Sequence, residues 1–552
     1  MSSEAGPDTG ARPDGALLRL IHQLLVVRTS GKLADHQRGY PRWELANAEL
    51  RSLLEAGVGG VILLGGSAAE LALRCAQLGR WAGQPLLLCA DVEEGVGQRF
   101  DGATWLVPPL ALGRLHRREP ERALALAERY GRCTGREARA LGLNWVLGPV
   151  CDVNNNPANP VINVRAWGED PATAGALATA FLQGVQAEGV LSCAKHFPGH
   201  GDTSSDSHLT LPLLAHSRER LAAIELPPFQ QAIAAGVASV MTAHLMLPAL
   251  DGERPATLSK PVLTGLLRRE LGFEGLIVTD ALVMDAITGR YGAGEAAVLA
   301  LEAGADLVLM PADAGAAIGA IAAALQAGRL DREQLEASAE RRRRALAGLG
   351  AGVPGAAGAP SASRPDPDPE AAAEPDQALA LELVRATLEA SPGGTRPPQP
   401  GVNLIRLDSA LAAPFLPATA PAVAKPEAQG WRTVLVEGRS PSPWSGLAEA
   451  PLALERLGPG PVLLQLFVRG NPFRGSANSA EPWPAALSQL AASGRLAGLV
   501  VYGSPYLWDQ LQPLLPPGTA GVYSPGQMPL AQAEALARLG MGEDGEQNIF
   551  TT

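Results

Sequence analysis

Gly189-Val190-Leu191-Ser192-Cys193-Ala194-Lys195-His196-Phe197-Pro198-Gly199-His200-Gly201-Asp202 joins a short apolar run to a loop crowded with titratable groups. Val190 to Ala194 is too short for a helix and has no polar face, so it reads as a strand covered on both sides. The polar half continues to His208, and Lys195 to His208 holds three of the chain's eight histidines. Titratable side chains on a loop that leaves a buried strand point to an active site rather than a core.

The same pattern recurs along the first part of the chain. Apolar runs lie at Val58–Leu64, Pro85–Ala90, Asn144–Val150, Val190–Ala194, Ala238–Ala243, Gly275–Thr279 and Ala305–Met310. Amphipathic stretches such as Pro120–Leu141, Ala172–Glu188 and Gly294–Ala303 separate them, and Ala16–Val27 reads as an opening helix. Seven strands alternating with helices, and an eighth placed only loosely, fit a (β/α)8 barrel over residues 15–347. A doubly wound open sheet is the alternative. Asp91, Asp152, Lys195-His196, His244 and Asp280 each fall just past the end of a run. Barrel enzymes gather their catalytic groups on that face.

The 552 residues exceed one ordinary domain, and a 46% hydrophobic content supplies a sizeable core. From Gly348 to Asp376 the composition turns to Gly, Ala and Pro, ending in Pro365-Asp366-Pro367-Asp368-Pro369, which reads as a linker. Residues 377–552 carry helical patterns at Gln377–Glu389 and Leu530–Leu539. They also carry strand-like runs at Val402–Ile405, Pro461–Val468 and Ala497–Tyr502. These indicate a smaller α/β sandwich. It contains no histidine, so the chemistry is expected in the barrel.

A net charge of −11 argues against nucleic-acid and anionic-membrane partners. Residues 1–14 are polar and expected to be disordered, with no signal-like start, and no run is long enough to span a bilayer. Five scattered cysteines without a Cys-x-x-Cys pair read as buried thiols of a reducing, cytoplasmic compartment. No cofactor is implied and no metal is expected. His196 and His200 have helical spacing, but Pro198, Gly199 and Gly201 oppose a helix, and no His-Glu-x-x-His motif accompanies them.

Several residues invite a chemical role, each with a plainer reading beside it. Asp280, leaving a strand toward a pocket, suits a glycosyl-transfer nucleophile; alternatively it caps the next helix. Asp206-Ser207-His208 places a carboxylate beside an imidazole, which would make His208 a proton donor and acceptor near neutral pH; alternatively both are solvated loop residues. Arg165 could clamp sugar hydroxyls, or pair with Glu169 or Asp170 at the surface. Asp91 could accept two sugar hydroxyls, or cap a helix.

Four stretches taken together resemble glycoside hydrolase family 3, most of all its β-N-acetylglucosaminidase branch, which recycles cell-wall sugars. They are Lys195–His208 followed by Leu211-Pro212, Asn156–Arg165, Gly148–Asn154 and Thr279–Met284. The resemblance implies an exo-acting, retaining hydrolase of terminal β-linked N-acetylhexosamine from an oligosaccharide or small-molecule glycoside. Asp280 would be the nucleophile, and His208, polarised by Asp206, the general acid/base. Asp91, Arg165, Lys195 and His196 would hold the glycone. A β-glucosidase, a glycosyl phosphorylase or a non-catalytic sugar-binding protein is the alternative. Two departures bear on the sugar's substituents: Glu94-Gly95-Val96-Gly97-Gln98-Arg99 stands for the family's Glu-Gly-Gly-Arg, and Arg165-Ala166-Trp167-Gly168 for its Arg-Ser-Phe-Gly.

Overall fold

The computed structural model describes residues 15–203, 211–349, 369–391, 400–407, 416–437, 440, 442–469 and 481–541. In the first part, eight short strands alternate with helices: β1 (Leu25–Ser30), β2 (Gly60–Leu64), β3 (Leu87–Ala90), β4 (Trp145–Val146), β5 (Cys193–Phe197), β6 (Ser239–Thr242), β7 (Leu276–Val278) and β8 (Val308–Leu309). Parallel ladders join them in two sheets, β4-β3-β2-β1-β8 and β5-β6-β7. The sheets meet at both ends through isolated parallel bridges, Trp145 to Leu191 and Val150 to Lys195 at one seam and Val278 to Leu307 at the other. The eight strands thus curl into a (β/α)8 ring that is not closed by continuous ladders at those two seams.

Alternation along each strand explains why the runs are apolar throughout. Val26, Ile62, Leu87, Cys89, Trp145, Cys193, Met241, Leu276 and Val278 pack together in the ring's interior. Their neighbours Leu25, Val27, Val61, Leu63, Leu88, Val146, Ala194, Val240 and Ile277 pack outward against the helices. Side chains two residues apart share a face. The interior rows of Val26, Cys89, Cys193 and Val278 therefore lead to Arg28, Asp91, Lys195 and Asp280 at the carboxyl end of the ring.

The opening segment departs from expectation. The helix spans Gly15–Gln23 and the chain then enters β1, so Leu25-Val26-Val27 belongs to the eighth strand rather than to the helix. Leu24 to Val27 is apolar at every position, so helical and strand spacing fit it equally well. The other helices carry local signals that end them where expected. Ser67 and Glu70 form a capping box, Asp170 caps a helix that begins with Pro171, and Gly57 and Gly304 close helices in the left-handed conformation.

The second part is a three-layer α/β sandwich. Its sheet has the order β11-β10-β12-β13-β14-β9, with β9 (Glu389–Ala390), β10 (Val402–Leu407), β11 (Arg432–Val436), β12 (Val462–Val468), β13 (Leu496–Gly503) and β14 (Ala520–Ser524). All pairs are parallel except β14 with β9. Val462, Leu464, Leu499 and Val501 pack on the helices Trp483–Ala492 and Pro505–Leu511. Leu463, Phe467, Val500 and Tyr502 pack on Pro421–Ala428 and Pro529–Arg538.

The segment read as a linker is partly helical, because a helix runs Pro369–Thr387. Asp376 in that helix is buried and paired with Arg136 of the barrel. Residues 350–368, like the N-terminal 1–14, lie outside the described residues. Among the described residues no helix is long and apolar enough to cross a membrane.

Candidate active site

β5 delivers two functional side chains because its ladder to β6 slips. Ala194 pairs with Val240 and Phe197 with Thr242, so β5 holds one extra residue at Lys195-His196. A bulge of this kind re-aims side chains, and here both residues are committed to buried carboxylates.

Lys195 is the centre of a charge network at the barrel mouth. Its Nζ lies 2.7 Å from Oδ1 of Asp91 and 2.7 Å from Oε1 of Glu93. Glu93 in turn receives Arg165 through two parallel bonds, Nε to Oε2 at 2.7 Å and Nη2 to Oε1 at 2.8 Å. Burial by itself would raise the Glu93 carboxyl, but Arg165 and Lys195 outweigh it and hold it well below the usual carboxylate range. Burial would likewise lower the Lys195 ammonium; Asp91 and Glu93 raise it instead, so it stays charged. Asp91 is also held low, by Lys195 and then Arg99, against the effect of burial. Only Asp91 keeps 35% of its side chain exposed, against 1% for Lys195, which makes it the member of the network offered to a ligand.

His196 stands on Asp152. Its Nδ1 lies 2.8 Å from Asp152 Oδ2, and the backbone N–H groups of His196 and His200 donate to Asp152 Oδ1 at 3.2 and 2.7 Å. With Nδ1 donating to that carboxylate, Nε2 is an acceptor, and it faces Arg165 Nη2 at 3.5 Å. His200 is fully buried beside Thr203, whose Oγ1 lies 2.8 Å from its Nδ1. Burial pushes its pKa down to about 4 despite the opposing Asp152, so His200 is neutral at physiological pH.

Asp280 follows β7 on the same interior row. Its N–H donates to Thr242 Oγ1 at 3.3 Å, and its Oδ1 accepts from the Ala281 N–H at 2.7 Å. His244, buried at the end of β6, braces that turn by donating from Nε2 to the Ala281 carbonyl at 3.1 Å. Asp206 and His208 fall in 204–210, outside the described residues.

The plainer readings of three residues do not hold. The helix after Asp280 begins at Asp285 with Met284 as its cap, and the turn after Asp91 is capped by Gly95. Arg165 pairs with Glu93, whereas Glu169 is taken by Arg117 and Tyr506 and Asp170 caps its own helix. The motif register also needs correction. The hub is Glu93, one residue before the Glu94 aligned with the family pattern. Trp167 lies in the core against Tyr130 and Phe181, with ring centroids 5.4 and 5.2 Å away, so its bulk does not enter the site. Arg99, after Gln98, donates Nε to the Asp91 carbonyl at 2.9 Å.

Sequence reading missed Glu93 as the hub, although the adjacent acids Glu93-Glu94 at the end of β3 were its signal. It placed the second domain but not that domain's reach to the barrel mouth. Arg469, just past β12, forms a buried pair with Glu94, and the hydroxyl of Tyr506 accepts from Asn154 Nδ2 at 2.6 Å and donates to Glu169 at 2.8 Å. Among the described residues no three His, Cys, Asp or Glu side chains converge as metal ligands.

Residues 18–345 match the glycosyl hydrolase family 3 N terminal domain, and residues 395–540 match the bacterial glycosyl hydrolase family 3 C-terminal domain. The chain is 38% identical over 280 residues to a β-hexosaminidase A of Pseudoalteromonas piscicida, an alignment covering 47% of this chain and 46% of that protein. It is 36% identical over 271 residues to a β-hexosaminidase of Thiobacillus denitrificans, covering 48% of this chain and 75% of that one. Among solved structures, a glycoside hydrolase family 3 β-N-acetylglucosaminidase from Paenibacillus sp. str. FPU-7 superposes with a TM-score of 0.74 at 30% identity, covering 95% of this chain and 97% of the other. The chain thus spans less than half of the Pseudoalteromonas protein and nearly all of the Paenibacillus one.

Proposed function

Because the chain belongs to glycoside hydrolase family 3, we propose that it is a retaining exo-glycosidase that releases terminal β-linked N-acetylglucosamine. Its relatives named β-hexosaminidase and β-N-acetylglucosaminidase support the substrate class. The observation that carries the chemistry is one row of the barrel mouth. It sets Asp280 on the same interior face as the partly exposed Asp91, whose partner Lys195 is locked between two carboxylates.

In this mechanism Asp91 accepts glycone hydroxyl protons, while Lys195, Arg165 and His196 fix the sugar's orientation. That leaves the anomeric carbon facing Asp280. The Asp280 carboxylate attacks, the C1–O bond to the aglycone breaks, and His208 gives its proton to the departing oxygen. Water then enters on the same face, His208 takes its proton, and the ester to Asp280 opens with retention. Asp206 holds the His208 imidazole in the donating tautomer. The five cysteines are all unpaired and buried, and burial pushes the Cys75 and Cys193 thiols up to about 12, which suits a reducing cytoplasmic setting.

The deciding experiment offers purified protein aryl N-acetyl-β-glucosaminide and aryl β-glucoside, each with and without phosphate, and repeats the panel with Asp280→Ala. Preferred turnover of the N-acetylated glycoside without phosphate dependence, abolished in the variant, is expected. Sugar bound without turnover, or a phosphorylated product, would replace this reading.

A further inference from the structure

Arg469 and Glu94 are a buried ion pair that joins the two domains at the edge of the glycone network. Both nitrogens of the guanidinium fork engage the carboxylate, Nη1 at 3.1 Å from Oε2 and Nη2 on Oε1. Glu94 keeps 1% of its side chain exposed and Arg469 13%. The indole N–H of Trp105 donates to the same Oε2 at 3.0 Å. The pair lies one residue from Glu93, and a single acceptor, Gln98 Oε1, takes the backbone N–H groups of both Glu93 and Glu94 at 3.0 and 3.2 Å. Glu93 takes Lys195 and Arg165 while Glu94 takes Arg469 of the second domain, so two guanidinium forks anchor one short turn.

A second contact repeats this arrangement on the neighbouring strand end. Tyr506, at the start of the helix after β13, bonds Asn154, two residues past the Asp152 that carries His196. Both contacts leave the second domain from the carboxyl ends of its central strands β12 and β13, the edge where open α/β sheets place functional groups.

Resting on the glycosidase reading above, we infer that Arg469 is a positioning residue. From the second domain it fixes Glu94, and through the shared turn it fixes the Glu93 carboxylate that sets Lys195 and Arg165 for the sugar. Among the described residues, the Glu94 carboxylate without Arg469 keeps one neutral side-chain donor, Trp105. A buried carboxylate in that state draws in water or turns outward, and the Gln98-bound turn moves with it. The nucleophile turn is braced separately by His244 and Thr242. Glycone affinity is therefore lost before the rate of the bound complex.

The test uses the full chain and the glycoside that wild-type protein turns over best. Charge-assisted hydrogen bonds of this kind set an expectation of about a ten- to hundredfold rise in KM for Arg469→Gln. Its kcat should stay within about threefold, with partial recovery in Arg469→Lys because one ammonium cannot span both oxygens. Glu94→Gln should raise KM comparably, and the double variant Glu94→Gln/Arg469→Met should raise it about as much as either single change and no more. That double variant removes both charges together and is the measurement to use if Arg469→Gln does not fold. Arg129→Ala, which breaks an exposed ion pair to Glu382 elsewhere on the same interface, should leave KM unchanged. A folded Arg469→Gln or double variant whose KM lies within twofold of wild type overturns the inference. So does a KM rise in Arg129→Ala equal to that in Arg469→Gln, which would mark a general effect of domain docking. Wild-type protein that turns over no glycoside defeats the glycosidase reading instead, a separate result.

Discussion

The ammonium of Lys195 and the carboxylate of Glu93 meet at 2.7 Å with 1% and 3% of their side chains exposed, two buried charges that offset each other's desolvation. Glu93 also neutralises Arg165. Removing it leaves Arg165 without its carboxylate and Lys195 with Asp91 alone beneath the barrel mouth, where removal of one partner of a buried pair costs about 3–5 kcal/mol. Glu93→Ala should therefore lower the unfolding free energy from urea denaturation by an amount of that order, seen as a lower midpoint with an unchanged slope, and should also raise KM. A variant as stable as wild type would show that water or a neighbouring acid replaces Glu93.

The division of labour proposed for Asp280 and His208 predicts different kinetic signatures. Asp280→Ala should reduce kcat by about a thousandfold or more, because the ester cannot form. His208→Ala should reduce it by about 10²–10⁴-fold, the range for a general acid, and should abolish the alkaline limb of the pH profile. A fluorinated slow substrate followed by peptide mass spectrometry should find the adduct on Asp280. An adduct on another side chain, or inverted product by NMR, would remove Asp280 from that role.

How much of this was legible depends on the range of the interaction. Strands covered on both faces show as unbroken apolar runs, and the polar residue ending each run falls on the catalytic face, so Asp91, Lys195, His196 and Asp280 stood out. β1 did not, since Leu24–Val27 fits two periods. β11 is half exposed, and β14 follows Gly518-Thr519 and contains Gly521, so neither shows a continuous apolar run. Glu93 meets Arg165 across 72 residues and Arg469 meets Glu94 across 375. No local spacing encodes such a pair, because it exists only once the barrel has curled and the second domain has docked.

The seam between β4 and β5, crossed by irregular backbone bonds, is also tied by buried polar side chains. Trp145 Nε1 donates to Ser239 Oγ at 2.8 Å, and Ser239 Oγ donates to the Ser192 carbonyl at 2.8 Å, all fully buried. Ser239→Ala leaves the indole N–H and that carbonyl without this partner inside an apolar barrel. The expected loss is about 1–3 kcal/mol by chemical denaturation. Faster amide exchange at Leu191 and Val146 should accompany it, since the Val146 N–H donates to the Leu191 carbonyl and the Leu191 N–H to the Asn144 carbonyl across the same seam. No change in exchange there would mean that the backbone bonds and the packing of Trp145 hold the seam without Ser239.

His200 gives the fold a pH limit that can be located in advance. Its native pKa is about 4, below the ordinary histidine value of 6.5, because burial disfavours the imidazolium. Between those values the unfolded chain binds a proton at this residue and the native protein does not, so stability falls as pH drops. The contribution is fully present above about pH 6.5 and is lost as pH falls through 4, with a total of about 3 kcal/mol at roughly 1.4 kcal/mol per pH unit. The carboxylates Asp91, Glu93 and Asp152 are all held low and lose their contributions only below their ordinary values near 4. In the window from pH 6.5 to 4.5 His200 therefore acts alone among these four, while Glu137 and Glu225, whose carboxyls burial raises, act in the opposite sense by taking up a proton more readily in the native state. Denaturation at pH 7.0 and 4.5 should show a loss in wild-type protein that His200→Gln, which titrates in neither state, reduces. An equal loss in both proteins would assign the acid sensitivity to a different histidine.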